Sequence, residues 1–513
     1  MRQYQRDLLA VAAVLLVSSF AFVHLMGLPA FEDEGTQLRW IWRILDAGEW
    51  LQPLGDGKPL EAWPMVLLVR LGAPPLAAIR AVHVLAGMAC SLLTYRLGLS
   101  AGGRVAALCS GLLFAICPFT VYLQRLALSD IFLCTAGVWV QLGVLGFVRS
   151  PTRRYAAQLA GALMLAAFCK FPVGFVFLFA MPLALWMIPA VDRQSLTRVP
   201  SSIRLLAAYT PVAALLLVVA MVGIYRLHKG LSPGFGIQDL MGIGFGRYSD
   251  IGAAIGVPRP SLVDELTTQL SWPVVVIALI GVLSAALRGD WRQRWLIGVG
   301  AIPMLLIGYG THFWYPRYLL FTIPPLIVAS VLGWQDLVAG EAAPWRQWVL
   351  VGVFLVCAAF MARQSGSIVL QPAAARWSPL DRFQYIEGWS SGYGYPEAAK
   401  YILQVPNPPP QIFSLDGHSA YQLLTYLPAP WRSRVRPISY GPQREVLGTA
   451  SARLNNLLIG APAWLIVPEP LLDGYLDSSF GHINLGQLKL REVVAFDKPG
   501  SRARLAIYEV TRQ

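Results

Sequence analysis

Long apolar runs, separated by short polar segments, recur through the first 363 residues of the chain. Each run is close to the roughly 20 residues that an α-helix needs to cross a bilayer. The run at 156–189 is too long for one helix, and the sequence Cys169-Lys170-Phe171-Pro172 divides it into two. The pattern predicts about eleven transmembrane helices. They are expected at 8–30, 75–97, 105–123, 128–148, 156–169, 171–189, 205–225, 272–287, 295–310, 317–333 and 347–363.

The pattern changes at about residue 364. Strand-like segments at 411–415, 463–467 and 503–508 alternate with helix-like segments at 396–403 and 444–458. Short strands that alternate with helices are typical of a small α/β domain. We therefore divide the chain into a transmembrane domain, 1–363, and a soluble α/β domain, 364–513.

Composition supports a membrane protein. The chain of 513 residues is 56% hydrophobic and only 13% charged, whereas an average soluble domain is about 25% charged. This balance excludes a disordered, fibrous or soluble protein. The six cysteines all lie in apolar stretches, which indicates small buried side chains rather than disulfides or a thiolate metal site.

Arginine clusters follow alternate spans and predict the orientation, because cytoplasmic loops are rich in Arg and Lys. The N-terminus is then cytoplasmic, and an odd number of spans places the C-terminal domain outside the cytoplasm. Loops 31–74 and 226–271 are expected on that outer face. The clusters are Arg2 and Arg6; Arg96 and Arg104; Arg149, Arg153 and Arg154; Arg193, Arg198 and Arg204; and Arg288, Arg292 and Arg294.

Charged residues of both signs gather on the predicted outer face, which suggests a site there. A carboxylate at the edge of the membrane can act as a general base, and nearby cations can hold an anionic phosphate and stabilise it as a leaving group. The alternatives are an acidic helix cap and snorkelling cations. The carboxylates are Asp33, Glu34 and Asp130, and the cations are Lys58, Arg125, Lys170 and Arg317.

Four motifs on this face carry a family resemblance. Over residues 1–363 they resemble, in order, the lipid-dependent glycosyltransferases of the GT-C fold, and especially the protein O-mannosyltransferase and lipid A aminoarabinose transferase group. Leu60-Glu61 departs from the proline and aromatic of the family, and Phe171 replaces a glycine. The motifs are Asp33-Glu34 with Lys58-Pro59; Tyr122 to Asp130; Phe168-Cys169-Lys170-Phe171-Pro172; and Pro316-Arg317-Tyr318-Leu319-Leu320 with Pro324-Pro325.

The resemblance implies an inverting glycosyltransferase that moves a sugar from a polyprenyl-phosphate donor to an acceptor glycan, lipid or protein. The expected location is the outer face of a bacterial cytoplasmic membrane. Asp33, Glu34 and Asp130 are then the candidate catalytic carboxylates. The candidate donor-phosphate ligands are Lys58, Arg125, Lys170, His312, Tyr315 and Arg317.

Alternative functions are weighed on the same residues. A transporter or flippase of a lipid-linked sugar would place charges at mid-membrane and show paired halves, but the predicted spans are poor in charge. A non-catalytic scaffold protein would give the charged residues on the outer face no function. Gly242-Ile243-Gly244-Phe245-Gly246 follows no strand, so a dinucleotide site is rejected. No cofactor is expected; a divalent ion between Asp33 and Asp130 stays an open alternative that no ligand spacing supports.

Overall fold

The computed structural model describes residues 2–55, 58–170, 173–189, 260–310, 314–338, 345–414, 417–437, 463–469, 488–500 and 503–512, together with Leu216 and Gly223. The predicted span at 205–225, the predicted outer loop at 226–271 with its glycine-rich sequence Gly242 to Gly246, and the helix-like segment at 444–458 fall largely or wholly outside these residues. Among the described residues up to Leu370, all regular structure is helical. The helices are α1 (Arg2–Ser18), α2 (Glu32–Ala47), α3 (Gln52–Gly55), α4 (Pro59–Arg70), α5 (Pro75–Ala115), α6 (Pro118–Arg125), α7 (Asp130–Arg149), α8 (Arg153–Cys169), α9 (Ala180–Met187), α10 (Leu262–Leu270), α11 (Trp272–Arg288), α12 (Trp291–Gly310), α13 (Ile323–Val338) and α14 (Trp345–Leu370).

The chain is a polytopic α-helical membrane protein. Among the described residues, five helical segments are long and apolar enough to cross a membrane, and a sixth forms if the bent pair α10 and α11 is one span. Every predicted run that falls on described residues is helical or largely so. The five segments are Gln3–Phe22, Pro75–Ala115, Asp130–Arg149, Pro316–Val338 and Gln347–Leu370.

The predicted spans differ from the structure in four details. The break predicted between the second and third spans lies inside α5 at Gly103, whose φ of 86° turns the backbone out of the helix. The third span stops at Ala115, because Pro118 cannot continue a helix and begins the buried α6 instead. The span predicted at 171–189 begins as a 3₁₀ turn, Val173–Phe179. The last span continues to Leu370, beyond the predicted domain boundary.

The C-terminal domain contains a small mixed sheet, as predicted. Its strands have the spatial order β2-β1-β3-β5-β4, with β1 parallel to both β2 and β3, and β5 antiparallel to β3 and β4. All six side chains of β3 are buried, which identifies it as the central strand. The elements are α15 (Pro379–Arg382), a π-helical turn (Phe383–Glu387), α16 (Tyr395–Gln404), β1 (Ile412–Ser414), α17 (Gly417–Leu424), β2 (Val435–Pro437), β3 (Ala463–Pro468), β4 (Leu488–Asp497) and β5 (Arg504–Arg512).

The C-terminal domain is packed on α2 through α17. A Cβ at Gly35 would lie 3.2 Å from both the His418 carbonyl oxygen and Tyr421 Cβ, so any larger residue would require α17 to move away by a few tenths of an ångström. The segment before α2 is held as well. The Ala30 backbone N–H donates to the Tyr426 hydroxyl at 2.6 Å, and Gln422 Nε2 donates to the Ala30 carbonyl at 3.0 Å. The position of α2 therefore depends on the C-terminal domain.

Candidate active site

An ion pair between Asp33 and Arg317 lies at the centre of the candidate site. Asp33 is in the first turn of α2, where a carboxylate is favoured by the partial positive charge of a helix N-terminus. Arg317 lies in the 3₁₀ turn Pro316–Thr322, and its Nη1 is 2.6 Å from Asp33 Oδ2. The Asp33 side chain is 31% exposed and that of Arg317 is 14% exposed, so the pair is accessible from one side.

A second ion pair joins Lys170 and Asp130 beside the first. Asp130 begins α7, and Lys170 directly follows the last residue of α8. Lys170 Nζ is 2.7 Å from Asp130 Oδ1. The ring of Tyr318 connects the two pairs, because its centroid is 4.6 Å from Lys170 Nζ and 5.8 Å from the Arg317 guanidinium carbon. The Tyr315 ring lies on the Arg317 guanidinium as well, at 4.7 Å.

Lys58 approaches the same site from the residue that precedes α4. Its Nζ lies 5.9 Å from the centroid of the Trp40 ring. Unlike Lys170 and Arg317, it has no carboxylate within 4 Å among the described residues, which do not include Asp56. Among the described residues, Lys58 is therefore the cation of this site that no ion pair holds.

The charges of these side chains change one another's proton affinities. Burial alone would raise the pKa of Asp33, but the nearby charges of Arg317, Lys58, His418 and Lys170 outweigh it and lower that pKa to about 2. Burial lowers the pKa of Lys170, and the carboxylate of Asp130 only partly offsets this. At neutral pH Asp33 is thus ionised.

Two candidate residues have buried structural contacts instead. Glu34 is fully buried and receives hydrogen bonds from Arg80, with Nε at 2.7 Å and Nη2 at 2.8 Å. Its Oε2 also accepts from the Phe31 N–H at the start of α2. Arg125 donates to the carbonyl oxygens of Ala21, Val23 and His24, so its guanidinium closes the turn after the first span. Sequence alone could not distinguish Glu34 from the adjacent Asp33, or Arg125 from the other candidate cation Lys170.

The remaining candidates divide between described and undescribed residues. Tyr315 lies on Arg317, as given above, and His312 lies outside the described residues. No group of three or more His, Cys, Asp or Glu residues within the described part of the chain could hold a metal ion. The two carboxylates Asp33 and Asp130 are instead each paired with a cation.

Sequence reasoning missed two buried polar groups next to the site. The first is Glu61, which stands in the motif that departs from the family pattern. Its Oε2 lies 3.2 Å from His83 Nε2. The second group joins Asp381 of α15 to α10, because Gln269 Nε2 donates to Asp381 Oδ2 at 2.9 Å and lies 3.4 Å from Glu265 Oε1. Burial raises the pKa of Asp381 to about 6. Only the unusual Glu61 gave a signal in the sequence.

Known structures share this architecture across the whole chain. The crystal structure of ArnT from Cupriavidus metallidurans bound to undecaprenyl phosphate superposes with a TM-score of 0.61 at 15% identity, and the match covers 98% of each chain. The chain has the GT-C fold. No family model and no curated protein sequence matches it.

Two other GT-C proteins extend the comparison. The oligosaccharyltransferase of Archaeoglobus fulgidus, in complex with Zn and sulfate, gives a TM-score of 0.57 at 11% identity and covers 96% of this chain and 73% of its own. The mycobacterial arabinofuranosyltransferase AftD gives 0.51 at 15% identity, covering 100% of this chain and 40% of its own. At these identities the comparison establishes the fold, and the function is argued from the site.

Proposed function

We propose that this chain is an integral-membrane glycosyltransferase that moves a sugar from a polyprenyl-phosphate donor to an acceptor, with inversion at the anomeric carbon. One observation carries the proposal: Lys170 and Arg317 form ion pairs with Asp130 and Asp33, and Lys58, from a third segment, interacts electrostatically with both carboxylates. A lipid phosphodiester at the headgroup level fits this arrangement of charges. The similar ArnT structure was solved with undecaprenyl phosphate bound.

Lys58 is the first phosphate ligand in this proposal, because it can contact the donor without breaking an ion pair. Arg317 can offer a guanidinium with two parallel N–H groups, the geometry that phosphate oxygens accept best. As the sugar leaves, the bridging oxygen of the phosphate gains negative charge. Cations held at that position stabilise the transition state more than the bound donor, which raises turnover.

Asp33 is the proposed general base. The acceptor oxygen or nitrogen attacks the anomeric carbon as the bond from that carbon to the phosphate oxygen breaks. The electron pair of that bond stays on the phosphate, and the acceptor proton passes to Asp33. One displacement inverts the anomeric configuration, whereas retention would require a second carboxylate as a nucleophile.

Donor binding also activates this base. In the free protein Arg317 and its neighbours hold the pKa of Asp33 at about 2, where a carboxylate is a poor proton acceptor. A phosphodiester that engages Arg317 competes for the cation and adds a negative charge nearby. Both effects raise the proton affinity of Asp33. The base therefore gains strength when a donor is present.

The remaining candidates have supporting roles in this proposal. Asp130 holds Lys170, and Tyr315 and Tyr318 support the cations with their ring faces. Glu34 and Arg125 fix the backbone around α2 and the first span. The site is proposed to open on the outer face of a bacterial cytoplasmic membrane, with the N-terminus in the cytoplasm, as the arginine clusters indicate.

The proposal is tested with the full chain in lipid nanodiscs and a radiolabelled polyprenyl-phosphate sugar. We expect release of undecaprenyl phosphate together with label on an acceptor fraction from a membrane extract, and none with Asp33→Asn. Nuclear magnetic resonance of the product gives its anomeric configuration. Label that crosses the bilayer of a proteoliposome with the sugar still on its lipid would instead establish a flippase.

A further inference from the structure

A buried ammonium group holds a backbone turn in the C-terminal domain. Lys498 directly follows β4 and is only 2% exposed. Its Nζ donates to the Gly388 carbonyl oxygen at 2.7 Å, to the Ser391 carbonyl oxygen at 3.1 Å and to the Ser391 hydroxyl oxygen at 3.2 Å. An ammonium group has three hydrogens, so these three acceptors use all of them. A buried charge is costly unless its surroundings satisfy it, and here one turn does so.

The same turn, residues 388–391, meets the start of α2. The Glu32 N–H donates to the Ser390 carbonyl oxygen at 3.3 Å. Glu32 is the first residue of α2, and the first N–H groups of a helix have no acceptor within that helix. The next residue is Asp33, the proposed base. One backbone hydrogen bond therefore connects the 388–391 turn to the residue before the base.

Close packing makes the turn and the start of α2 one unit. Gln422 Nε2 donates to the Ser390 carbonyl oxygen at 2.9 Å and to the Ala30 carbonyl oxygen at 3.0 Å, so one side chain holds both segments. A Cβ at Gly392 would collide with the Ala30 carbonyl oxygen. A shift of the turn is therefore passed on to α2.

Protonation decides whether Lys498 can hold all three acceptors. The neutral amine has two hydrogens, and its lone pair would face the third acceptor. Burial lowers the pKa of Lys498 to about 7, and no ion pair with Lys498 within the described part of the chain opposes this. The charged groups on the surrounding elements are Arg382 and Glu387, which pair with each other beside Gly500; Glu32, which faces His418; and the exposed Asp497.

We propose that Lys498 is a positioning residue for the reaction: its ammonium fixes the 388–391 turn, the turn fixes the start of α2, and Asp33 is thereby held where it can take the acceptor proton. The inference rests on the proposed function, because it takes Asp33 as the base. Misplacing a catalytic group by about 1 Å can cost about 10²-fold in rate. A loosened turn should therefore lower turnover, while the side chains proposed to bind the donor stay in place.

The test compares the wild type with Lys498→Gln in the transfer assay between pH 6 and pH 8.5. The glutamine amide is uncharged and can donate to two of the three acceptors, so the variant is expected to fold. We expect the wild-type kcat to exceed that of the variant about tenfold at pH 6 and less than about twofold at pH 8.5, where the amine dominates. The Kd for undecaprenyl phosphate should agree within about twofold at both pH values. The ratio isolates Lys498, because the other titrating groups are the same in both proteins.

The stability of the two proteins should change in the opposite direction. The pKa of Lys498 is about 7 in the folded state, against an ordinary value of 10.5, so between these values the unfolded chain binds a proton that the folded chain has released. The free energy of unfolding of the wild type should thus rise relative to that of Lys498→Gln from pH 7 to pH 8.5, while its advantage in turnover disappears. A purely structural lysine would gain or lose both together. Lys489→Gln, at an exposed position of β4, is the matched control and should change neither.

The outcomes separate the two proposals. A kcat ratio that is the same at every pH overturns the positioning role, and if Asp33→Asn is inactive the proposed base stands. If Asp33→Asn turns over like the wild type, the proposed base fails and the positioning role fails with it. Hydrogen exchange of the wild-type segment 28–38, corrected for the intrinsic rate, needs no substitution. Its protection should fall between pH 6 and pH 8.5, and unchanged protection overturns the positioning role even if Lys498→Gln does not fold.

Discussion

Arg317 and Asp33 are 284 positions apart in the sequence, yet Arg317 Nη1 lies 2.6 Å from Asp33 Oδ2. This ion pair joins the proposed phosphate ligand to the proposed base. Neither group can act while it holds the other, so a donor must loosen the pair before transfer. In the proposed mechanism, the free protein is thus in a resting state that a phosphate-bearing lipid releases.

Asp33→Asn separates the two roles. Loss of a general base should lower turnover about 10²–10⁴-fold. Undecaprenyl phosphate should bind this variant at least as tightly as it binds the wild type, because the carboxylate that competes for Arg317 is gone. Isothermal titration and turnover of the same preparation measure both. Asp46→Asn, near the exposed end of α2, is the control, and near wild-type turnover in Asp33→Asn would remove this residue from the mechanism.

Lys58 and Lys170 should respond differently to alanine. A charge-assisted contact to phosphate is worth about 1.5–3 kcal/mol, so either change should raise the Kd for undecaprenyl phosphate roughly 10- to 150-fold. Lys170→Ala also leaves the buried Asp130 without its cation and should lower the thermal unfolding temperature. Lys58→Ala should not. Lys400→Ala, at an exposed position of α16, serves as the control for lost surface charge.

Glu34→Gln should affect stability rather than chemistry. The Glu34–Arg80 pair is fully buried, and removing one charge from such a pair costs about 3–5 kcal/mol. We expect a lower unfolding temperature and a lower yield, while the protein that does fold keeps its donor affinity. A stable Glu34→Gln protein without activity would instead make Glu34 the base.

The raised pKa of Asp381 predicts that the free energy of unfolding falls as pH rises. Burial raises its pKa from an ordinary value near 4 to about 6, so the folded state binds a proton that the unfolded state has already released. The resulting stabilisation is complete below about pH 4 and is lost as pH rises through about 6, by up to about 3 kcal/mol. Unfolding temperatures measured from pH 4 to 7 should show this slope in the wild type and a smaller one in Asp381→Asn, where Glu265, whose pKa burial also raises, still remains. Asp264→Asn, an exposed acid of α10, should keep it.

The proposed orientation is tested on α16. A cysteine introduced by Lys400→Cys, at an exposed position of the C-terminal domain, should react with a membrane-impermeant maleimide in cells whose outer membrane alone is permeabilised. The native cysteines are buried or partly buried. Labelling only after the cytoplasmic membrane is lysed would place the C-terminal domain in the cytoplasm and contradict the arginine-based topology.

The sequence predicted the fold well because its signals are local. Apolar runs mark the helices, and the alternation of strands and helices after residue 364 marks the sheet domain. The motifs also named segments that contact one another, since the structure pairs Asp33 with Arg317 and Asp130 with Lys170.

The partners of individual side chains could not be predicted in the same way. Asp33 and Glu34 are adjacent in one helix, about 100° apart around its axis, and only the position of Arg80 shows that Glu34 is buried. Arg125 was expected at the phosphate, yet in the structure it binds three backbone carbonyls near the end of the first span. Asp381 and Gln269 are 112 positions apart with no shared pattern, so their contact needs the tertiary structure.

The tight contact at Gly35 has a consequence for engineering new specificities. The segment that carries Asp33 contacts the C-terminal domain at Ala30 and Gly35, so a C-terminal domain taken from a relative would meet a surface shaped for another partner. A working chimera would have to exchange residues 23–50 together with residues 371–513, as one unit interrupted in the sequence. Natural variants of this architecture should therefore vary in these two regions together.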